Sequence, residues 1–267
     1  MKHQMLFPPD KMIYHAPSLA RNTIHRITVG LTLEHRFAFY YWAKFFNEFK
    51  EQDVYLKDPP IFLSIDSHYD VGDASTLQQY KRPLKTLENK LYDSTLLSRF
   101  CWQQLNSNND TQISAALYMN YFSDAYILMA EDQFIKFGMK MPIVKDRQGK
   151  VHTIHYYHHI EDVVKDLKLR ESPIFLDIDL DYFTEELGEG SDPHVLILPD
   201  NDVRDILNTS SAIMSVVLPR VVGLTIALEP NYCGNIVNSA HLLNLLDIEL
   251  FDKTLFTRDV QWNIKLD

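Results

Sequence analysis

The sequence predicts an α/β protein whose parallel sheet is covered by helices on both faces. Three apolar runs have the length of strands and end in an acidic residue or directly before one: residues 60–66, 173–179 and 221–228. Continuous apolar runs of this length are typical of strands that are buried on both faces. Helix-length segments lie between them, and this alternation indicates βαβ units in a doubly wound sheet.

The other elements follow in chain order. A short apolar run at residues 27–31 is predicted to be a strand before the first helix. The predicted helices span residues 35–50, 87–104, 111–129, 160–167, 200–217 and 235–246. The first is apolar nearly all round, which predicts a buried core helix. The histidine-rich residues 152–159 are predicted to form an alternating strand with surface histidines. The polar breaks are short, so residues 1–267 are predicted to form a single domain.

Composition limits the class of protein. Of the 267 residues, 46% are hydrophobic and 23% are charged, which is typical of a globular protein. The formal net charge of −10 disfavours nucleic acid and anionic membranes as partners and permits a cationic substrate. The two cysteines form no CxxC pair, so structural zinc and redox motifs are not expected. The sequence shows neither a signal-peptide pattern nor a membrane span, and we expect a cytoplasmic protein.

The first acidic strand end carries an Asp-x-His-x-Asp pattern. Asp66, His68 and Asp70 alternate along an extended segment, so their side chains are expected on one side. Grouping two carboxylates and an imidazole without lysine or arginine costs free energy, which a bound cation would offset. A polar loop with a helix N-cap is the alternative for one such pattern taken alone.

The second acidic strand end carries Asp177, Asp179 and Asp181, again at alternate positions and without a nearby base. Ligand sites of doubly wound sheets lie beyond the carboxyl ends of the strands. Two acidic strand ends in one sheet therefore favour a shared metal site over two unrelated polar loops. Oxygen-rich coordination with one imidazole per ion favours Mn²⁺, with Fe²⁺, Co²⁺ and Zn²⁺ as substitutes. Two such ions can hold and deprotonate a bridging water.

These motifs resemble those of the ureohydrolase superfamily, which contains arginases and agmatinases. Asp66-Ser67-His68-Tyr69-Asp70 is similar to its first motif, and Phe175-Leu176-Asp177-Ile178-Asp179 is similar to its second. A further aspartate comes three residues on in the family, whereas Asp181 follows after two. His35, between a predicted strand and a helix, occupies the place of the superfamily's early histidine. Residues 176–183 and 229–234 look closest to the peptide arginases of ribosomal peptide biosynthesis.

The resemblance implies a three-layer α/β/α sandwich and a binuclear manganese centre. It assigns one ion to His35, Asp66, Asp70 and Asp177. It assigns the other to Asp66, His68, Asp177 and Asp179, so that Asp66 and Asp177 would bridge the two ions.

The resemblance also implies a reaction. Hydroxide held between the metals would attack the guanidinium carbon of arginine, and Asp70 would stabilise the intermediate and relay a proton to the leaving amine. The products would be urea and ornithine. Glu229 closes the third acidic strand and would hold the guanidinium through paired hydrogen bonds; a solvent-facing glutamate is the alternative.

Two departures from arginases bear on the substrate. Asp73 stands near the place of an asparagine that helps hold the substrate carboxylate, and a carboxylate there would repel it. The His-Gly pair that serves as proton shuttle has no match in residues 77–84. Both departures suit an arginine within a precursor peptide, with Asp73 as a substrate-binding candidate; they also suit a different substrate of the ureohydrolase type. Residues 152–159 could supply another shuttle, and the acidic residues 185–192 could meet a cationic peptide.

Two other classes of function stay open. A deacetylase-like amidohydrolase of related fold would act with one metal, although Asp179 argues against that branch. A metal-stabilised peptide-binding module without catalysis is the third alternative.

Overall fold

The computed structural model describes residues 12–19, 26–51, 59–72, 74–87, 93–105, 111–137, 143–187 and 194–264. Its strands are β1 (Ile13–Pro17), β2 (Arg26–Thr32), β3 (Ile61–Ile65), β4 (Ala125–Leu128), β5 (Ile143–Lys145), β6 (Val151–Tyr157), β7 (Ile174–Asp179), β8 (Thr184–Leu187), β9 (His194–Ile197), β10 (Val221–Ala227), β11 (Phe251–Lys253) and β12 (Gln261–Trp262). Its helices are α1 (Ala38–Glu51), α2 (Ala74–Leu87), α3 (Ser94–Gln103), α4 (Gln112–Tyr118), α5 (Glu131–Phe137), α6 (Ile160–Lys168), α7 (Asp200–Leu207), α8 (Met214–Val217) and α9 (Ile236–Leu250).

The central sheet confirms the predicted fold class. Eight strands lie in the order β1-β2-β10-β7-β3-β4-β6-β5. The strands from β2 to β6 in that order are all parallel to their neighbours, while β1 and β5 pair antiparallel at the two edges. Within the sheet, the chain runs from β3 towards one edge through β4 and β6, then returns to β7 on the other side of β3 and continues to β10. Doubly wound sheets form their ligand sites where the strand order reverses in this way.

Each face of the sheet packs against its own layer of helices. Alternate residues of β3 and β7 point to opposite faces, as the period of a strand requires. Ile61, Leu63 and Ile65 join a core with apolar side chains of α6 to α9. Phe62 and Phe175 join a second core with the aromatic side chains of α1 and apolar side chains of α2, α3 and α4. The strands are buried on both faces, which accounts for their unbroken apolar sequences.

Two glycines let α1 lie close against the sheet. A Cβ atom at Gly30 would overlap the ring of Tyr41, and one at Gly223 would overlap the ring of Phe45. Both rings belong to α1 and are buried. The absence of a Cβ at these strand positions therefore fixes how near the helix approaches, and with it the position of the short 3-10 turn His35–Phe37 that precedes α1.

The predicted helix at residues 111–129 is wrong in its second half. Helix α4 ends at Tyr118, and residues 125–128 form the buried strand β4 between β3 and β6. Asn120 adopts a left-handed φ of 59°, and Tyr121 N–H donates to Ala116 O at 3.1 Å. This is the geometry that terminates helices at an asparagine. The predicted helix at 200–217 is likewise divided into α7 and α8.

Most other predicted elements agree with the structure to within a few residues, but the helix predicted from residue 87 begins at Ser94, and Leu87 ends the preceding helix α2. The strands at 27–31, 60–66, 173–179 and 221–228 correspond to β2, β3, β7 and β10. The alternating strand is β6, and the predicted helix at 87–104 is α3, beginning at Ser94. No helix in the described ranges is long and apolar enough to cross a membrane. A single domain over residues 1–267 stays a prediction.

Candidate metal centre and the adjoining cavity

The candidate site lies where four neighbouring parallel strands end. Strand β2 leads to His35, β10 leads to Glu229, β7 carries Asp177 and Asp179, and β3 leads to Asp66. These strands are adjacent in the order β2-β10-β7-β3. The parallel arrangement therefore brings together residues that lie up to 194 positions apart in the chain.

The imidazole of His35 stands at the centre of the cluster. It is completely buried, and its Nδ1 atom lies 2.7 Å from Asp70 Oδ2, 3.1 Å from Asp179 Oδ2 and 3.3 Å from Asp66 Oδ2. His35, Asp66 and Asp70 form one group whose donor atoms lie close enough to share a metal ion. Gln112 Nε2 donates a hydrogen bond to Asp70 Oδ2 and so orients that carboxylate.

A second group consists of Asp66, His68 and Asp181. His68 Nδ1 lies 3.0 Å from Asp181 Oδ2 and 3.8 Å from Asp66 Oδ1. Asp66 belongs to both groups, so its carboxylate is placed to be shared between two ions. Asp181 belongs to the second acidic strand end of the sequence, but it is not among the metal ligands that the resemblance implies. Its strand-like alternation with Asp177 and Asp179 does not persist in the structure, because the 3-10 turn Leu180–Phe183 begins before it.

Asp177 lies on the other side of the His35 ring from this cluster. Its Oδ2 atom is 2.7 Å from His35 Nε2 and accepts a hydrogen bond from Ser64 Oγ at 2.8 Å. Its Oδ1 atom accepts a hydrogen bond from Thr225 Oγ1. Among the described residues, Asp177 is in neither group of potential ligands. The same holds for Asp179, so the metal-ligand roles that the resemblance implies for these two aspartates stay predictions.

The residues present fit a cation. His35 Nδ1 and Asp66 Oδ2 are buried and make no hydrogen bond, although they lie 3.3 Å apart. Buried polar atoms are rarely left in this condition without a ligand. Three further carboxylates, those of Asp70, Asp179 and Asp181, surround them and are themselves buried. Oxygen donors with one imidazole in each group match the preferences of Mn²⁺ and related divalent ions.

The cluster contains more carboxylates than basic side chains, and the pKa values of Asp66, Asp179 and His35 are raised. Burial, followed by the charge of Asp70, raises the pKa of Asp66 to about 8. Burial and the charge of Asp181 also raise the pKa of Asp179. Burial alone would lower the pKa of His35, but Asp177 and Asp179 raise it well above its ordinary value. A cation would take over the role of the protons that these groups hold.

Two residues of the site have strained backbones. Asp70 has a φ of 42° and Glu229 has a φ of 39°, both in the left-handed region that residues with a Cβ seldom adopt. The Glu229 side chain is buried and accepts a hydrogen bond from the backbone N–H of His35. Burial raises the pKa of Glu229 to about 8. Its carboxylate thus ties the end of β10 to the turn that carries His35.

A cavity of about 580 Å³ opens beside the second group. Its wall includes His68 and Asp181, which belong to that group, and Tyr232, whose ring lies 5.3 Å from that of His68. Three exposed glutamates also line it: Glu131, Glu185 and Glu186. Neither lysine nor arginine is found among the described residues that line it. The cavity is therefore electrostatically suited to a cation.

Several sequence-predicted residues lie away from this cavity or outside the described ranges. Asp73 and residues 188–192 of the acidic loop are outside the described residues. None of the four histidines at 152–159 lines the cavity, and His152 is buried with its Nε2 atom 3.3 Å from Asp146 Oδ2. Both cysteines are buried, and burial raises the pKa of the Cys101 thiol to about 12. Neither thiol has the properties of a nucleophile.

Comparison with known proteins adds a structural likeness. No protein-family model matches the sequence, and no curated protein matches it. The chain is similar to the solved structure of the agmatine ureohydrolase of Thermoplasma volcanium, with 14% sequence identity and a TM-score of 0.33 over 82% of this chain. The match spans 60% of the length of that protein. A likeness at this TM-score carries no argument about activity, so the chemistry of the site rests on the side chains of this chain.

Proposed function

We propose that this chain is a metal-dependent hydrolase with a binuclear centre that converts arginine residues of a precursor peptide to ornithine and urea. The observation that carries the metal centre is the burial of His35 and Asp66 with facing atoms that make no hydrogen bond, inside a ring of further carboxylates. The resemblance of the two aspartate motifs to those of ureohydrolases supports the reaction. Mn²⁺ is the proposed metal, with Fe²⁺, Co²⁺ and Zn²⁺ as substitutes.

The proposed ligands follow the two groups of donor atoms. His35, Asp66 and Asp70 would hold one ion, and Asp66, His68 and Asp181 would hold the other. Asp179, whose Oδ2 lies 3.1 Å from His35 Nδ1, is a further proposed ligand, and Asp177 would bridge the two ions as the resemblance implies. When bound, two such ions supply a strongly nucleophilic water at neutral pH and neutralise developing negative charge.

The protein's own groups would then orient the substrate and move the proton. The Asp70 carboxylate is 5% exposed and is oriented by Gln112, so it is the proposed proton relay to the departing amine. The role of Glu229 as guanidinium partner stays a proposal, since one of its oxygens accepts the His35 N–H bond. Its other oxygen would have to contact the substrate.

The lining of the cavity favours an arginine that is already in amide linkage. A free amino acid carries a carboxylate, and the described wall offers it Glu131, Glu185, Glu186 and Asp181 without lysine or arginine. Among the described residues of the wall, the one basic side chain is His68, which lies 3.0 Å from Asp181. A peptide with a cationic side chain and no nearby carboxylate avoids this repulsion.

The test is incubation of the metal-loaded chain with an arginine-containing peptide and, separately, with free arginine. We expect urea release and the peptide mass change of arginine-to-ornithine conversion, highest with Mn²⁺. The variant Asp66→Asn should lose the activity, while Asp162→Asn, an exposed aspartate of α6, should keep it. Absence of urea from both substrates across Mn²⁺, Fe²⁺, Co²⁺ and Zn²⁺ would contradict the proposed reaction.

The number of bound ions separates the alternatives. Two ions per chain are expected here, whereas a deacetylase-like amidohydrolase would bind one and release a carboxylic acid from an acylated amine. A chain that binds both ions and a peptide, and leaves the peptide unchanged, would be a metal-stabilised binding module instead.

A further inference from the structure

The cavity beside the second ligand group runs along one edge of strand β8. All four residues of this strand, Thr184–Leu187, are in its wall, although the side chains of successive strand residues point to opposite faces. The four residues of β9, His194–Ile197, are outside the wall. The cavity therefore lies along the edge of β8 that is turned away from β9, which we call the outer edge of β8.

The pairing with β9 determines which backbone groups point to this outer edge. In an antiparallel pair of strands, residues that exchange two backbone hydrogen bonds with their partners alternate with residues that exchange none. Leu198 N–H donates to Phe183 O at 2.9 Å, and the pairing of β8 with β9 continues in the same register. The next residues to bond β9 are therefore Glu185 and Leu187.

The backbone groups of Thr184 and Glu186 consequently point outward, into the cavity. The N–H of Thr184 donates to Asp181 O in the preceding turn. This leaves the C=O of Thr184 and both backbone groups of Glu186 without a backbone partner among the described residues, where β8 pairs only with β9. A strand edge of this kind is a template for pairing with another extended chain.

The rest of the wall suits a chain that is positively charged. Glu131, Glu185 and Glu186 are exposed carboxylates, and the described lining contains neither lysine nor arginine. Ile135 and Leu187 are exposed apolar side chains of the same wall. The cavity thus combines unpaired backbone groups with negative charge and apolar contacts, which together can bind an extended cationic peptide.

The outer edge begins beside the candidate metal centre. His68 and Asp181 are in the wall of the same cavity, and β8 begins at Thr184, three positions after Asp181. Four strand residues extend over about 13 Å. A peptide that places one arginine at the metal centre would therefore have its neighbouring residues alongside β8.

We propose that the substrate binds as an added strand: an extended, positively charged peptide pairs its backbone with Thr184 and Glu186 while one of its arginines reaches the metal centre. The inference rests on the proposed function, because it takes the peptide of that reaction as the occupant. Backbone pairing provides affinity for an extended chain, and the glutamates of the wall favour basic residues beside the arginine. A free amino acid offers no backbone to pair, so this mode of binding selects a peptide.

The experiment measures the binding of a fluorescently labelled peptide, acetyl-Ala-Lys-Ala-Arg-Ala-Lys-Ala-amide, to the manganese-loaded chain by fluorescence anisotropy. Only alternate N–H groups of an added strand face its partner. N-methylation of the third and fifth residues and N-methylation of the second and sixth therefore block opposite edges of the peptide. We expect one of these two peptides to bind about tenfold or more weakly than the parent, and the other to bind within about twofold of it.

Two proline variants locate the edge on the protein. Glu186→Pro removes the outward N–H of β8 and should weaken the parent peptide by about three- to tenfold. Val195→Pro is the matched control, because Val195 lies opposite Glu186 in β9 and its N–H points to the other edge of the two-stranded sheet. It should bind the peptide as the wild type does. Proline is tolerated on edge strands, and Glu186→Gln separates the loss of charge from the loss of the N–H.

Charge is tested with the same peptide carrying glutamate in place of both lysines, which should bind at least about tenfold more weakly than the parent. Equal binding of the two N-methylated peptides would overturn the inference, and this comparison needs only the wild-type chain if Glu186→Pro does not fold. Equal effects of Glu186→Pro and Val195→Pro, an acidic peptide that binds as well as the basic one, or no binding of the parent peptide would also overturn it.

The inference and the proposed reaction can fail separately. Binding that depends on which residues are N-methylated, without release of urea, supports the added strand and contradicts the reaction. Urea release from both N-methylated peptides at the rate of the parent supports the reaction and contradicts the added strand.

Discussion

The pH dependence of metal binding follows from the raised pKa of Asp66. This carboxyl has a pKa of about 8 in the metal-free site, chiefly because it is buried and lies beside Asp70. It therefore holds a proton at neutral pH that an incoming ion must displace. With a pKa of about 8, the fraction of Asp66 that is ionised falls from about one half at pH 8 to about one tenth at pH 7 and about one hundredth at pH 6.

The apparent affinity for Mn²⁺ should fall with that fraction. From Asp66 alone we expect a decrease of about fivefold between pH 8 and pH 7 and about ninefold between pH 7 and pH 6. His35, whose pKa is also raised, changes the affinity in the same direction. Isothermal titration calorimetry in buffers of different ionisation enthalpy measures both the affinity and the protons released.

The sign of the stability effect is also fixed. A carboxyl whose pKa is raised on folding stabilises the metal-free protein at low pH, and this contribution is lost as the pH rises from about 4 towards 8. The increase in unfolding temperature on adding Mn²⁺ should therefore grow from pH 6 to pH 8. An affinity that is constant over this range, with no release of protons, would refute the reasoning.

Other predictions concern single substitutions. Asp66→Asn should lower urea release by more than about 100-fold, because Asp66 belongs to both ligand groups. Even the mutation of a residue that only hydrogen-bonds to a metal ligand typically lowers activity by about 10- to 100-fold. Wild-type activity in this variant would exclude Asp66 from the centre. Gly223→Ala should lower the free energy of unfolding by about 1–3 kcal/mol in urea titrations, because the added Cβ overlaps the Phe45 ring. If instead its stability matches the wild type, α1 has room to move. Glu229→Gln should raise KM for the peptide by about tenfold or more while two ions stay bound, since a charge-assisted hydrogen bond is worth about 1.5–3 kcal/mol; an unchanged KM argues against its role as guanidinium partner.

Much of the fold could be predicted because buried parallel strands have a recognisable sequence. The unbroken apolar runs of β3, β7 and β10 reflect cores on both faces of the sheet. The prediction of helix over residues 125–128, which form β4, is wrong because a short apolar run does not distinguish a buried strand from a buried helix. Helix α4 ends before this strand because Asn120 adopts a left-handed φ, and this conformation is visible only in the structure.

The site shows the same division between sequence and structure. Alternating carboxylates and histidine at the ends of two strands predicted a metal centre, because such groups are costly together without a cation. Sequence spacing could not show that Asp177 and Asp179 face different nitrogens of His35, whereas Asp181 faces His68. That depends on where β7 ends and the chain turns.

By itself the sequence determined the class of fold and predicted the acidic residues of the candidate site, since both follow from local patterns of apolar and acidic residues; His35 was added by the family resemblance. Only the tertiary structure decided the partners of each side chain. It placed Asp181 beside His68 at 3.0 Å, and it engaged Asp177 with Ser64, Thr225 and the far side of His35. The physical reason is that these contacts join strands that are neighbours in the sheet and distant in the chain, and their distances are set by packing on α1 rather than by spacing along the sequence.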